Sequence, residues 1–451
     1  MERLIVPLVE AVSDTCGGKA GALGALLRAG LPVPDGFVVP YAAYLAAVRD
    51  LDLGESDGPD AMRPAIEARP VDASVIDALG RALDELGDPP VAVRSSASNE
   101  DTGRASAAGQ HESFLAVRGV GGVADAVRAC WASLFSPRAI DYRREDRPDD
   151  RRDDRPGDRP PGDLPDDRPD DRPDDRPDDR PDDRREDRSS SDLAMAVIVQ
   201  RQLDAEVSGV MFTPADPYGA TEIEASWGLG PSIVGGTVTP DAYRVAGDGS
   251  VTRTIADKRT RLDRHGTRLV VRDVPAPARD RAAIDDATAT RLAELGEEIA
   301  AVLGGPQDIE WAITDGRTWI LQARPVTAAP PPPPSPSAAP DAPAGALAGT
   351  PGSRGTATGA ARIVRGPGDF ARVHPGDILV CPFTDPAWTP LLRIAAGVVT
   401  ETGGVLSHAA IVARELGIPA VLGVPDATGR LHDDTVITID GTTGAVMTRD
   451  A

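Results

Sequence analysis

Apolar residues along the chain fall into short runs punctuated by Gly, Pro and Asp, and the spacing inside each run predicts its element. VAVR (91–94) and AVIVQ (196–200) are almost continuously apolar and of strand length, which predicts buried strands. Residues 289–303 carry apolar positions at helical spacing, and a second helical stretch is expected from about 20 to 29, just after Gly17-Gly18-Lys19. In QDIEWAITDGRTWILQARPV (307–326) two strand-like runs flank Asp315-Gly316, a hairpin signal. Close to the end, SHAAIVAREL (407–416) reads as a helix closed by Gly417 and Pro419. Mixed elements of this kind predict an α+β, multidomain fold.

Two segments break the pattern. Residues 143–188 hold 14 Arg, 20 Asp or Glu, 9 Pro, 2 Gly and one Leu, mostly as a repeated Asp-Asp-Arg-Pro unit. With one large apolar side chain, nothing in this stretch offsets the entropy of ordering it, so a disordered surface insertion is expected. Residues 327–350, TAAPPPPPSPSAAPDAPAGALAGT, form a Pro/Ala linker. Such a sequence favours an extended chain rising about 3.1 Å per residue. Removing both leaves globular blocks at 1–326 and 351–451, in keeping with the two or three domains that 451 residues suggest.

The formal net charge of −23 argues against nucleic acid or an anionic membrane as partner, since both attract basic surfaces. No apolar run reaches the 18 residues or so that a membrane helix requires, and MERLIVPLVEAV has no signal-peptide pattern. Cys16, Cys130 and Cys381 are far apart and odd in number, which excludes a disulfide scaffold or a CxxC metal site. A cytoplasmic protein is expected.

Four stretches carry candidate chemistry. Gly17-Gly18 before Lys19 and a helix start could let the backbone approach a phosphate with a positive charge at hand, although the Walker A spacing is missing and a plain Gly-rich turn fits too. In VAVRSSASNED (91–101) and SAAGQHESFLAV (106–117), Arg94 ends a strand before a Gly/Ala/Ser loop. Its guanidinium could fork onto phosphate oxygens or pair with Glu100 or Asp101. In the hairpin, a two-residue turn would put Glu310 and Gln322 on opposite faces, and a three-residue loop would set them opposite each other on one face. The second register makes a hard-oxygen pair suited to Mg²⁺, with Arg324 on the same face; the other leaves a solvated hairpin. In TETGGVLSHAAIVARELGIPAV (400–421), His408 follows Gly403-Gly404 at a helix start, where the helix dipole and backbone N–H groups favour an anion on the ring. A phosphohistidine needs that setting; His265, His374 and His432 lack it.

Taken in order, GGKAGALGALLRAGLPVPDGFVV, VAVRSSASNED, VIVQRQ with GVMFTPADP, SWGLG with VTPDAY, DIEWA with LQARPV, TDPAWTPLL and the His408 stretch resemble the enzymes related to phosphoenolpyruvate synthase and pyruvate phosphate dikinase. Within that group the pattern looks closest to rifampin phosphotransferase. The resemblance covers the chain outside the two low-complexity segments. It implies an ATP-grasp-like nucleotide-binding domain at 1–326, a flexible linker at 327–350 and a small swivelling β/α phosphohistidine domain at 351–451. It further implies that ATP is cleaved to AMP and phosphate while the β-phosphate passes through His408 to an acceptor. By the same match Lys19 and Arg94 contact ATP phosphates, the loop around Gly109 and Ser113 covers them, and Gln200 lies by the adenine. Glu310 and Gln322 hold Mg²⁺, and Arg324 binds phosphate.

Departures bear on the acceptor. No pyruvate-binding barrel follows the His408 region, and only the linker stands where rifampin phosphotransferase has its drug-binding domain. The acceptor site, for a small molecule or a protein, is therefore expected to be missing or to lie on another chain. Leu406 stands where plant dikinases have a regulatory threonine, and Pro231 follows GLG where the family often has Glu. An alternative remains: a regulatory or carrier protein that phosphorylates its own histidine and passes the group to a partner protein.

Overall fold

Apolar runs become strands and amphipathic runs become helices in the computed structural model, which describes residues 3–49, 51, 59–98, 113–136, 139–140, 193–216, 219–330 and 346–448. The Asp-Asp-Arg-Pro segment, most of the Pro/Ala segment and Gly109 lie outside the described residues. Strands β1 (Val6–Pro7), β2 (Gly36–Val39), β3 (Val91–Ala97), β4 (Ser113–Val117) and β5 (Met195–Arg201) make an antiparallel sheet in the order β1-β2-β5-β3-β4. Alternation sorts its side chains. Val91, Val93, Val197 and Val199 face a layer that includes Leu79 and Trp131, from helices Ala73–Leu86 and Gly119–Ser133. Val38, Ala196 and Ile198 face helix Ser13–Arg28 on the other side.

The next strands are β6 (Val207–Phe212), β7 (Ala220–Trp227), β8 (Asp241–Ala246), β9 (Val251–Thr254), β10 (Thr260–His265), β11 (Arg268–Asp273), β12 (Gln307–Thr314) and β13 (Arg317–Pro325). Six of them form a second antiparallel sheet, β13-β12-β6-β7-β8-β9, while β10 and β11 pair as a separate hairpin. One face of the second sheet offers Met211, Ile223, Tyr243, Ile309 and Trp311 to helices Ser13–Arg28 and Asp286–Leu303, joining both sheets through one core. The opposite face is polar towards β12 and β13 and holds the candidate chemistry.

Residues from 346 onwards build the third sheet: β14 (Leu347–Ala348), β15 (Thr350–Ser353), β16 (Thr356–Ile363), β17 (Ile378–Cys381), β18 (Gly397–Thr400), β19 (Ala420–Leu422), β20 (Val436–Asp440) and β21 (Ala445–Thr448). Strands β16 to β19 run parallel. β17 and β18 are buried along their whole length, as strands covered on both faces must be. Helix His408–Leu416 crosses over from β18 to β19. Leu347 and Ala348 already pair with Val446 and Ala445, so the third sheet begins inside the stretch expected as linker. No helix among the described residues is long and apolar enough to cross a membrane.

An ion pair sits inside the second sheet's edge. Lys258 and Asp241 are both fully buried, with Nζ 2.5 Å from Oδ1. Lys258 Nζ also donates to Ala256 O, and Asp241 accepts from the N–H groups of Ala256 and Ala283. Every charge is hydrogen-bonded, the condition under which such burial is tolerated. Lys258→Met is expected to leave Asp241 uncompensated and to lower stability by about 3–5 kcal/mol in urea unfolding.

Candidate active site

Asp315 and Gly316 both have positive φ, and Thr314 pairs with Arg317, so the β12–β13 turn has two residues. The three-residue loop that would align Glu310 with Gln322 is absent. The alignment is nevertheless present. Trp311 pairs with Ile320 and Glu310 with Gln322, which leaves Leu321 as the extra residue of a β-bulge and restores the same-face register. Glu310 also pairs with Val210, and Val210 with Glu224, so Gln322, Glu310, Val210 and Glu224 form one row across four strands. In the next row Arg324 lies opposite Asp308, and its guanidinium forks onto that carboxylate at 2.8 and 2.7 Å. Arg324 is thus on the expected face, with its charge shared with Asp308.

Arg94 reaches this row from the first sheet. Its Nη1 lies 3.5 Å from Glu310 Oε2 and donates to the bulge carbonyl, Leu321 O, at 3.2 Å. The buried Arg94 Nε has no hydrogen-bond partner among the described residues. Glu100 and Asp101, the alternative partners, lie outside them. Ser113 pairs with Arg94 across β3 and β4. Lys19 is placed by a kink. Helix Ser13–Arg28 is interrupted at Gly17 (φ 81°), where an added Cβ would lie 2.3 Å from Ser96 Oγ, and Ser96 Oγ accepts from Ala20 N. The restarted helix therefore begins beside Ser96 of β3, with Lys19 in its first turn.

Gln200 is 2% exposed, and its amide donates to Pro34 O, so the side chain is engaged within the sheet. A small apolar cavity lies just beyond it, between the two sheets, lined by Ala92, Leu115, Leu203, Leu229, Ala312 and the bulge residue Leu321. Glu310 and Gln322 offer one carboxylate and one amide oxygen on one face beside a guanidinium. That donor set fits a Mg²⁺ ion that takes its remaining ligands from phosphates and water.

His408 is the first residue of its helix, after Ser407 as N-cap. It lies past the carboxyl end of β18, and Thr384 lies past the carboxyl end of the neighbouring parallel strand β17, the edge where parallel sheets place ligand sites. His408 Nδ1 and Thr384 Oγ1 are 2.9 Å apart. His408 is only 4% exposed, and the loop before it docks on the second sheet. Leu406 and Ile411 pack against Val210 and Phe212. Thr402 Oγ1 donates to Gly236 O at 2.6 Å, and Leu406 N donates to Glu224 Oε1 at 3.2 Å. His408 thereby stands over the face that carries Glu310 and Gln322. Thr384 and Glu224 were missed as site residues. Thr384 lies within the TDPAWTPLL stretch, and Glu224 stands just before SWGLG, but nothing in either motif names its partner.

Residues 13–340 match the AMP/ATP-binding domain family of pyruvate phosphate dikinase, and residues 373–444 match the mobile domain of the PEP-utilising enzymes. The chain belongs to the phosphoenolpyruvate synthase and pyruvate phosphate dikinase family. It is 36% identical to a probable phosphoenolpyruvate synthase of Methanothermobacter thermautotrophicus, over 95% of this chain and 61% of that protein. A probable phosphoenolpyruvate synthase of Archaeoglobus fulgidus is 35% identical over 95% of this chain and 56% of its own length. The phosphoenolpyruvate synthase of Aeropyrum pernix is 32% identical over 99% and 58% respectively. The chain thus spans somewhat more than half the length of these relatives. Among solved structures, Enzyme I (nEIt) matches at 28% identity over 18% of this chain and 34% of that one, with a TM-score of 0.17, too low to bear on the fold.

Thr384→Val, nearly the same shape, removes the hydroxyl beside His408 Nδ1. The Nδ1 resonance of His408 is expected to shift in a long-range ¹⁵N–¹H spectrum, while those of His265, His374 and His432 stay in place.

Proposed function

We propose that the chain is an ATP-dependent phosphotransferase in which His408 receives the β-phosphoryl group of ATP and passes it to an acceptor. The observation that carries this reading is the docking of the His408 helix onto the same sheet face that holds Glu310 and Gln322. Strands are about 4.8 Å apart, so Glu224, which touches the histidine loop, lies two strands from Glu310 in the same row. A nucleotide held at Glu310 would have its phosphates within reach of the docked domain.

The residues divide the work. The cavity beside Leu203 and Leu321 accepts the adenine ring, and Gln200 supports that wall through its bond to Pro34. Lys19, Arg94 and Arg324 neutralise phosphate oxygens, with Ser113 and the loop containing Gly109 covering them. Glu310 and Gln322 would hold Mg²⁺, which when bound offsets phosphate charge. With Nδ1 engaged by Thr384, His408 Nε2 attacks the β-phosphorus. The bond from that phosphorus to the α–β bridging oxygen breaks, AMP leaves with the electron pair, and the γ-phosphate departs as inorganic phosphate on hydrolysis. The second transfer, from Nε2 to a small molecule or protein, requires the phosphohistidine domain (351–451, with β14 at its edge) to leave the ATP-grasp-like domain (1–326). The 327–350 segment permits that swing. We place this relay in the cytoplasm, where ATP is supplied.

Incubation with Mg²⁺ and β-labelled ATP is expected to yield an acid-labile label on the chain and free AMP. His408→Ala should abolish the label with ATP binding intact. Glu310→Ala should weaken use of Mg·ATP by about tenfold or more without unfolding the chain. Label retained in His408→Ala would exclude the relay.

A further inference from the structure

Glu224, in the middle of β7, is 2% exposed and enclosed by the loop that leads to His408. Its Oε1 accepts from Leu406 N, and Val405 N also turns towards it. A Cβ added to Gly404 would lie 2.1 Å from Oε1 and 2.6 Å from Oε2, so the carboxyl group fills the space a side chain at 404 would occupy. Glu224 Oε2 has no hydrogen-bond partner among the described residues. The strand neighbours on either side, Val210 and Ala242, are apolar. The charged groups facing it are Arg414 on the histidine helix and Glu222 on its own strand, and His408 is the titratable group at the helix start. Arg414 Nε and Nη1 are committed to the carbonyls of Ala328, Gly352 and Val405, and its remaining Nη2, like Glu224 Oε2, has no hydrogen-bond partner among the described residues.

We propose that Glu224 is the positioning residue that seats the His408 loop on the second sheet, and that seating places a proton on its carboxyl group. An ionised carboxylate with one buried, unpartnered oxygen is costly, whereas the neutral acid needs no counter-charge. Burial, the largest influence, pushes the group up to about 7 against the pull of the Leu406 and Val405 N–H groups and Arg414. With the loop withdrawn, Glu224 faces water and returns towards its ordinary 4.5. The sign follows: the seated form binds the extra proton. Seating is strongest below about pH 4.5, weakens as pH rises towards 7 and levels off above it. Between pH 5 and 8 the seating constant should fall by up to about a hundredfold. The catalytic consequence rests on the relay reading of His408; the seating does not.

Hydrogen exchange of the full chain separates the two. Protection of amides 400–411, corrected for intrinsic rate, should decline from pH 5 to 8 in the native protein. Glu224→Gln, neutral and of the same shape, should hold that protection at every pH. Glu224→Ala and Gly404→Ala should lose it at every pH while β12 and β13 stay protected, and Glu224→Ala should slow labelling from ATP with KM unchanged. Undiminished protection in Glu224→Ala, or a native pH profile in Glu224→Gln, would overturn the seating role. Absence of label from the native chain, with this protection pattern intact, would overturn the relay instead.

Discussion

Side chains alternate along a strand, so one extra residue in a ladder reassigns everything beyond it to the other face. Leu321 is that residue, and the chemistry of the second sheet depends on it. Its insertion puts Gln322 opposite Glu310 and Arg324 opposite Asp308 on the face away from the core, while Ala323 still packs inward. The bulge carbonyl takes a hydrogen bond from Arg94, tying the first sheet to the second at the point where the polar groups converge. The Leu321 side chain closes the apolar cavity between the sheets. A regular ladder would supply none of the three.

Docking of the third sheet obeys a second constraint, that a buried carboxyl group must meet hydrogen-bond donors, here the backbone N–H groups of the loop before the histidine helix. The loop 403–407 offers them on a glycine turn, and Glu224 takes one of them from a sheet that is otherwise apolar at that position. Around this polar contact Leu406 and Ile411 cover Val210 and Phe212. The combination is apolar enough to hold and charged enough to be sensitive to protonation.

Much of the fold was legible because it is local. Runs at 91–94 and 196–200 became central strands, and 289–303 and 407–416 became helices, since burial of a run or a stripe is decided by neighbours in sequence. The helix expected from about 20 is the part of Ser13–Arg28 that restarts after the kink at Gly17, and a short helical stretch from Ser13 precedes it. Arg94, Glu310, Gln322 and Arg324 were legible as polar residues within apolar strands, and the structure gathers them on neighbouring positions. Gln200 was legible as polar, yet its amide is spent on Pro34 O within the sheet.

By itself, the sequence determined the elements, the family, the low-complexity breaks and the identity of the histidine at a helix start, because each depends on residues within a few positions of one another. Tertiary structure alone decided that a two-residue turn with a bulge, rather than a longer loop, aligns Glu310 with Gln322. It alone decided that Thr384 orients His408, and that Glu224, 182 positions away, meets Leu406. Those are contacts between strands and domains, set by ladder register and by which faces pack together, and no local pattern of residues encodes them.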